Sequence, residues 1–121
     1  MSDKQFEHAL ASLCRDSGCR EVEVSRGSGD HGADVVALTP DGRRLILQAK
    51  RYNINRRVGD REMQQLVGGL TTCHRFDVAA LVATASFTGP DRATAARSGI
   101  RLVDNRALAA WNSGTGPAAW E

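Results

Sequence analysis

Cysteine is scarce in this sequence, which contains only Cys14, Cys19 and Cys73. An odd number of cysteines without Cys-x-x-Cys spacing argues against both a disulfide framework and a zinc site. Long apolar runs are also missing, since no stretch approaches the roughly 20 apolar residues that a membrane helix needs. The N-terminal residues lack the apolar run of a signal peptide. We therefore expect a cytoplasmic protein with reduced thiols and no membrane partner.

Positive charge is not in excess overall, because the formal net charge is only +2 over 121 residues, a length that fits one domain. The charge is unevenly distributed, however. Between Arg43 and Arg61 there are seven basic residues, and Asp60 is their only acidic neighbour. Clustered Arg and Lys side chains attract a phosphate backbone and release its counterions on binding. This segment is a candidate nucleic-acid contact, and the alternative is a solvated basic loop.

Nucleotide-binding fingerprints are absent as well. Residues 26–32 form a glycine-rich stretch, but no Gly-Lys-Ser/Thr follows and a strand, not a helix, comes next. This excludes a P-loop, and no dinucleotide-binding motif occurs elsewhere. A small-molecule enzyme on a doubly wound fold is therefore the least expected class.

The hydrophobic spacing predicts an α/β protein with one domain over residues 1–112 and a flexible tail over 113–121. Period-2 and buried patterns predict strands, and apolar stripes at helical spacing predict helices. Strands are expected at 21–25, 33–38, 44–50, 78–84 and 100–103. Helices are expected at 3–17, from Asp60 through Leu70, from Pro90 to Gly99, and at 106–111. The first three strands should form an antiparallel meander, and the fourth should run parallel to the third.

Polar side chains converge at one end of the predicted meander. Because side chains alternate along a strand, Gln48 and Lys50 point to the same face. A tight turn at 39–42 joins their strand to the preceding one, which brings Asp34 near them. Glu7, on the first helix, adds a possible fourth group. Glu7 shares a helix face with apolar residues and should point towards the protein.

This set of groups suits phosphodiester hydrolysis. A hard cation such as Mg²⁺ prefers oxygen ligands, which the Asp34 carboxylate, the Gln48 amide and the Ala49 backbone carbonyl can supply. Such an ion activates water and neutralises charge on the phosphate. Lys50 is expected to assist the attacking water or hold the scissile phosphate. We therefore predict Asp34, Gln48, Lys50 and Glu7 as the catalytic residues.

The order of these residues resembles the catalytic domain of Mrr-like restriction endonucleases, in the PD-(D/E)XK nuclease superfamily. The shared pattern is a glycine-rich loop that ends at Asp34, then Gln48-x-Lys50 followed by basic Arg51 and aromatic Tyr52. The similarity continues through residues 58–59, 64–66, 84–88 and 99–104. It implies a restriction-endonuclease-like αβββαβ core, with a mixed five-stranded sheet flanked by helices. It also implies DNA as the substrate and Mg²⁺ as the cofactor, for which Mn²⁺ should substitute.

One residue departs from the superfamily pattern. Gln48 stands where most members carry an acid, which removes one negative charge from the metal site. Mrr-like members commonly carry this Gln, so the departure does not indicate inactivity. Metal affinity would then depend on Asp34 and on Glu7 or Asp30.

Several residues around this core are predicted to contact DNA. They are His31, Arg51, Arg56, Arg57, Arg61 and Gln65, with Gln64 as the alternative to Gln65 because the helix phase is uncertain by one residue. A homodimer is expected, because double-strand cleavage by one small domain usually needs two active sites. Two other functions stay open: a structure-specific nuclease similar to Holliday-junction resolvases, and a DNA-binding module that has lost catalysis.

Overall fold

The structure is a computed structural model that describes residues 1–25, 33–52, 57–71 and 75–121. Its elements follow the order predicted from the sequence. The helices are α1 (Asp3–Asp16), α2 (Asp60–Thr71), α3 (Gly89–Arg97) and α4 (Asn105–Ser113), and the strands are β1 (Arg20–Val24), β2 (Val35–Leu38), β3 (Arg44–Lys50), β4 (Val78–Ala83) and β5 (Ile100–Val103). None of the helices within these ranges is long and apolar enough to cross a membrane.

The strands within the described ranges form one sheet in the order β1-β2-β3-β4-β5. β1, β2 and β3 pair antiparallel, whereas β3, β4 and β5 pair parallel. The turn between β2 and β3 is closed by the N–H of Gly42, which donates to the Thr39 carbonyl at 2.9 Å. Gly42 has φ +88°, a left-handed conformation that glycine adopts without strain. The predicted antiparallel meander and parallel crossover are therefore both confirmed.

Each face of the sheet packs against its own pair of helices. α1 and α4 cover one face, where Leu45, Leu47 and Val82 are buried. α2 covers the other face of the sheet with the apolar stripe that the sequence predicts. The four residues of this stripe are all buried: Met63, Leu66, Val67 and Leu70. β4 is buried along its whole length, as expected of a strand covered on both sides. The result is a mixed sheet between two helical layers.

The first helix begins at a fixed place because its end is capped. The hydroxyl of Ser2 accepts from the N–H of Gln5, and the Gln5 side chain accepts from the N–H of Ser2. This reciprocal pair satisfies two backbone donors that the helix itself leaves free. It fixes the residue at which α1 begins.

The last residues of the chain differ from the predicted flexible tail. Ala118, Ala119 and Trp120 are buried, and the Trp120 ring meets the Trp111 ring edge-on with 5.6 Å between centroids. Nη2 of Arg43 donates to the Trp120 carbonyl at 3.1 Å. The small and polar residues at 113–117 suggest a frayed end, but the apolar residues after them pack against the core. The sequence-based prediction of a tail is corrected accordingly.

Two of the cysteines lie in the core as free thiols. Cys14 and Cys19 are both buried, and burial raises the pKa of Cys14 to about 12. A thiol with so high a pKa is almost wholly protonated near neutral pH and is a poor nucleophile. Both residues are therefore structural, and Cys73 lies outside the described residues.

Candidate active site

Asp34 comes immediately before β2, at the end of the antiparallel pair that β2 forms with β3. Its backbone N–H donates to the Leu47 carbonyl at 2.8 Å. Oδ2 of its carboxylate accepts from the N–H of Ala49 at 2.7 Å. These two bonds join Asp34 to Leu47 and Ala49, the two neighbours of Gln48 on β3. The structure therefore brings Asp34 and Gln48 together at one sheet end.

Gln48 and Ala49, the residues of β3 beside this carboxylate, each offer an uncharged oxygen. The N–H and C=O of one strand residue point to the same side, so the Ala49 carbonyl points towards Asp34, as its N–H does. Oε1 of Gln48 is buried and has no hydrogen-bond partner among the described residues. A buried polar atom without a partner costs free energy. A cation held by this oxygen would remove that cost.

α1 brings a second carboxylate to this group. The Glu7 side chain is only 14% exposed, and its charge acts on Asp34. Nζ of Lys4 donates to Oε1 of Glu7 at 3.2 Å and to the Ser25 carbonyl at 2.8 Å. Lys4 was not predicted from the sequence, although its i,i+3 spacing from Glu7 is the usual spacing of helical ion pairs.

The ionisation of Asp34 is perturbed by these surroundings. Burial raises the pKa of Asp34 above its ordinary value, and the nearby Glu7 carboxylate acts in the same direction. The hydrogen bond from Ala49 and the ammonium groups of Lys4 and Lys50 lower that pKa, but burial has the larger effect. A carboxylate that is costly to ionise in the free protein gains most from a cation beside it. The electrostatics therefore favour a metal ion here.

Lys50 is the last residue of β3 and follows Gln48 by two positions, so both side chains leave the same face of the strand. Its ammonium has no hydrogen-bond or ion-pair partner within the part of the chain that the structure describes. Its backbone carbonyl accepts from the N–H of Thr84 at 3.1 Å, which is the last bond of the β3–β4 ladder. Lys50 is thus held by the sheet while its amine stays available to a ligand.

The donor set suits a hard cation better than zinc. No group of three or more His, Cys, Asp or Glu side chains suitable for a metal occurs among the described residues. Two carboxylates, an amide oxygen and a backbone carbonyl remain, contributed by Asp34, Glu7, Gln48 and Ala49. Mg²⁺ and Mn²⁺ bind oxygen ligands of this kind, and Mg²⁺ commonly uses only one or two carboxylates and keeps several waters.

A family model described as restriction endonuclease, Mrr_cat, matches residues 1–112. The chain belongs to this family. The resemblance drawn from the sequence motifs is therefore confirmed. A search of curated proteins found no significant match.

Solved structures agree with the nuclease family on the fold. The protein of unknown function AF1548 is 22% identical, with TM-score 0.72 and coverage of 85% of this chain and 58% of its own. The MspJI restriction endonuclease, solved with a 27-mer oligonucleotide, is 23% identical, with TM-score 0.59 and coverage of 89% and 26%. The modification-dependent restriction endonuclease AspBHI is 20% identical, with TM-score 0.62 and coverage of 91% and 31%. The chain thus spans 58% or less of each of these proteins.

The predicted DNA contacts of this nuclease domain are only partly described. Arg51, Arg57 and Arg61 are exposed, and Nε of Arg51 lies 3.5 Å from the Asp3 carboxylate. Gln64 and Gln65 are both exposed on α2, outside its buried stripe, so burial does not choose between them. Two predicted contacts, His31 and Arg56, lie outside the described residues, as does Asp30.

Sequence reasoning missed one further residue at this edge. Thr84 lies directly after β4, and its hydroxyl contacts the backbone of Tyr52. A polar residue at the carboxyl end of a buried parallel strand was the available signal, because ligand sites in α/β sheets lie at such ends.

Proposed function

We propose that this chain is a Mg²⁺-dependent endonuclease that hydrolyses phosphodiester bonds in DNA, with Mn²⁺ able to replace Mg²⁺. The observation that carries the proposal is the oxygen cluster at the end of β2 and β3. There the Asp34 carboxylate accepts from the Ala49 N–H, next to Gln48, whose buried Oε1 has no hydrogen-bond partner within the described residues. Membership of a restriction endonuclease family supports the same reaction class.

Each residue of the cluster has a distinct part in this proposal. Asp34, Gln48 and the Ala49 carbonyl hold the divalent ion, which when bound supplies activation of water and neutralisation of phosphate charge. Glu7 extends the acidic side of the site and orients water or a further ligand of the ion. Lys50 places its ammonium where charge develops on the scissile phosphate. The buried walls strengthen these electrostatic interactions compared with bulk water.

DNA would approach over the basic segment that follows β3. Arg51, Arg57 and Arg61 are exposed and available to phosphate oxygens, which position a duplex without reading its sequence. His31, Arg56 and Gln65 remain predicted contacts. MspJI, a structural neighbour, was solved with an oligonucleotide, and this is consistent with a nucleic-acid ligand for the shared fold. We also propose that two copies act together on duplex DNA in the cytoplasm.

The direct test is cleavage of plasmid and linear DNA by the purified protein with Mg²⁺, Mn²⁺, Ca²⁺ or EDTA. We expect nicking or cutting with Mg²⁺ and Mn²⁺ and none with EDTA. Asp34→Asn keeps an acceptor for the Ala49 N–H but removes the charge, so the fold should survive and cleavage should fall at least about a hundredfold. Lys50→Met should have a comparable effect without loss of metal binding.

A matched control is Asp16→Asn. Asp16 is an exposed aspartate at the other end of α1, nine positions and about 13 Å along the helix axis from Glu7. It should cut as the unchanged protein does. Full cleavage by Asp34→Asn would refute the proposed site. Salt-sensitive DNA binding without cleavage under any divalent ion would instead identify a binding module, and preference for four-way junctions over linear duplexes would identify a resolvase-like enzyme.

A further inference from the structure

Thr84 joins the strand that carries Lys50 to the next strand of the sheet. The regular β3–β4 ladder ends where Lys50 pairs with Ala83. The last backbone bond of this pairing runs from the N–H of Thr84 to the Lys50 carbonyl, at 3.1 Å. The next contact between the two segments is made by the Thr84 side chain instead of by backbone groups of both segments.

The Thr84 hydroxyl makes two hydrogen bonds to a single residue. Oγ1 accepts from the N–H of Tyr52 at 2.6 Å and donates to the carbonyl of Tyr52 at 3.1 Å. A hydroxyl has one proton to donate, so its donor capacity is used on this backbone unit. The pair reproduces the two bonds that a further ladder residue would make, and it fixes both backbone groups of Tyr52.

Two further contacts fix the same stretch of chain. The Tyr52 hydroxyl donates to Oε2 of Glu62 on α2 at 2.6 Å. Further along the sequence, Arg57 forms a parallel bridge with Ser86, which lies in the segment after β4, as Thr84 does. The basic segment after β3 is therefore anchored at both ends on the residues that directly follow β4.

We infer that Thr84 is a positioning residue that holds Lys50 and Arg51 in place for phosphodiester cleavage. The inference rests on the proposed function, because Lys50 is the group that it positions. The proposed metal ligands come earlier in the chain than the Thr84–Tyr52 contact, and the contacts between β3 and the start of β2 hold them instead. These ligands are Asp34, Gln48 and Ala49. Loss of the Thr84 hydroxyl should therefore disturb the amine and leave the metal ligands in place.

Thr84→Val is the appropriate change because valine keeps the β-branched shape and removes only the hydroxyl. We expect kcat for DNA cleavage to fall about ten- to a hundredfold, since small displacements of a catalytic group reduce rates on this scale. KM for DNA and the dissociation constant for Mn²⁺ should change less than about threefold. Thr84→Ser, which restores a hydroxyl, should recover most of the lost kcat.

A matched control separates this role from a general loss of stability. Thr94→Val makes the same chemical change on α3, where the threonine hydroxyl accepts from Arg97 at 3.3 Å, and it should leave kcat unchanged. Hydrogen exchange of the Tyr52 amide gives a readout that does not depend on cleavage. That amide should exchange slowly in the unchanged protein and in Thr84→Ser, and at least tenfold faster in Thr84→Val.

The outcomes are distinguishable. If the unchanged protein cuts DNA and Thr84→Val cuts equally well, the inference is refuted and the proposed function stands. Equal losses in Thr84→Val and Thr84→Ser, or a loss of Mn²⁺ affinity as large as the loss of kcat, also refute it. An unchanged protein that cuts no DNA with any divalent ion refutes the proposed function and this inference together.

Discussion

Replacing Trp120 with alanine tests whether the last residues belong to the core. The Trp120 side chain is buried and meets Trp111 edge-on, and Trp111 in turn donates from Nε1 to the Ser17 hydroxyl at 2.9 Å. Arg43 and Arg101 donate to the carbonyls of Trp120 and Glu121. The end of the chain is therefore tied to α1, to α4, to the β2–β3 turn and to β5.

The expected cost follows from this burial. Truncation of a buried Trp to Ala costs about 3–5 kcal/mol, and an edge-on aromatic pair adds about 0.5–1.5 kcal/mol beyond the buried area. A domain of this size has a total stability of about 5–15 kcal/mol. We therefore expect Trp120→Ala to lower Tm by about 15–25 °C in thermal unfolding followed by circular dichroism.

Trp120→Phe serves as the control because it keeps an aromatic ring against Trp111, and it should lose less than half as much stability. Below its Tm, Trp120→Ala should still cut DNA, since Arg43 precedes β3 and Lys50 ends it, about 20 Å apart along the strand. If both variants unfold within about 0.5 kcal/mol of the unchanged protein, as surface substitutions do, the packing of this segment is refuted.

Three further predictions concern the site and α2. Burial raises the pKa of Asp34, so its contribution to stability is present below the ordinary aspartate pKa and is lost as pH rises through the raised value. In EDTA, the free energy of unfolding of Asp34→Asn, measured with urea, should rise relative to that of the unchanged protein as pH increases through this interval. A difference in stability between the two proteins that does not depend on pH would contradict this. Lys4→Met removes an ammonium from beside Glu7 and should therefore tighten Mn²⁺ binding about two- to fivefold near pH 8, as measured by calorimetry. Weaker Mn²⁺ binding in this variant would contradict the placement of Lys4. Gly68→Ala, in α2, should raise the free energy of unfolding in urea by about 0.5–1 kcal/mol. The reason is that alanine favours the helix and no described heavy atom lies within 4 Å of the added Cβ. A loss of stability would show that other atoms occupy the helix surface there.

Much of this fold could be predicted because local patterns and tertiary burial agree. The apolar stripe of α2 and the unbroken apolar run of β4 both predict the burial that the structure has. The short turn at 39–42 sets the β2–β3 register, and that register brings Asp34 to the end of β3. The end of the chain was mispredicted because its packing depends on Trp111 and Arg43, which are distant in sequence.

The site was predictable to the extent that strand alternation determines it. Gln48 and Lys50 share a face by periodicity alone, and one turn brings Asp34 to them. Other contacts of the site join different elements. Lys4 on α1 bonds the backbone just after β1, and Thr84, just after β4, bonds the segment after β3. No spacing rule within one helix or strand predicts the partners of such bonds, so these two contacts emerged only from the three-dimensional arrangement.

The central claim is that Asp34, Gln48 and the Ala49 carbonyl together form a divalent-cation site. Titration of the purified protein with Mn²⁺, followed by the electron paramagnetic resonance of the free ion, tests it without DNA. We predict one bound ion per chain in the unchanged protein and in Asp16→Asn, and at least about tenfold weaker binding in Asp34→Asn. Equal Mn²⁺ affinity in Asp34→Asn and the unchanged protein would contradict the account.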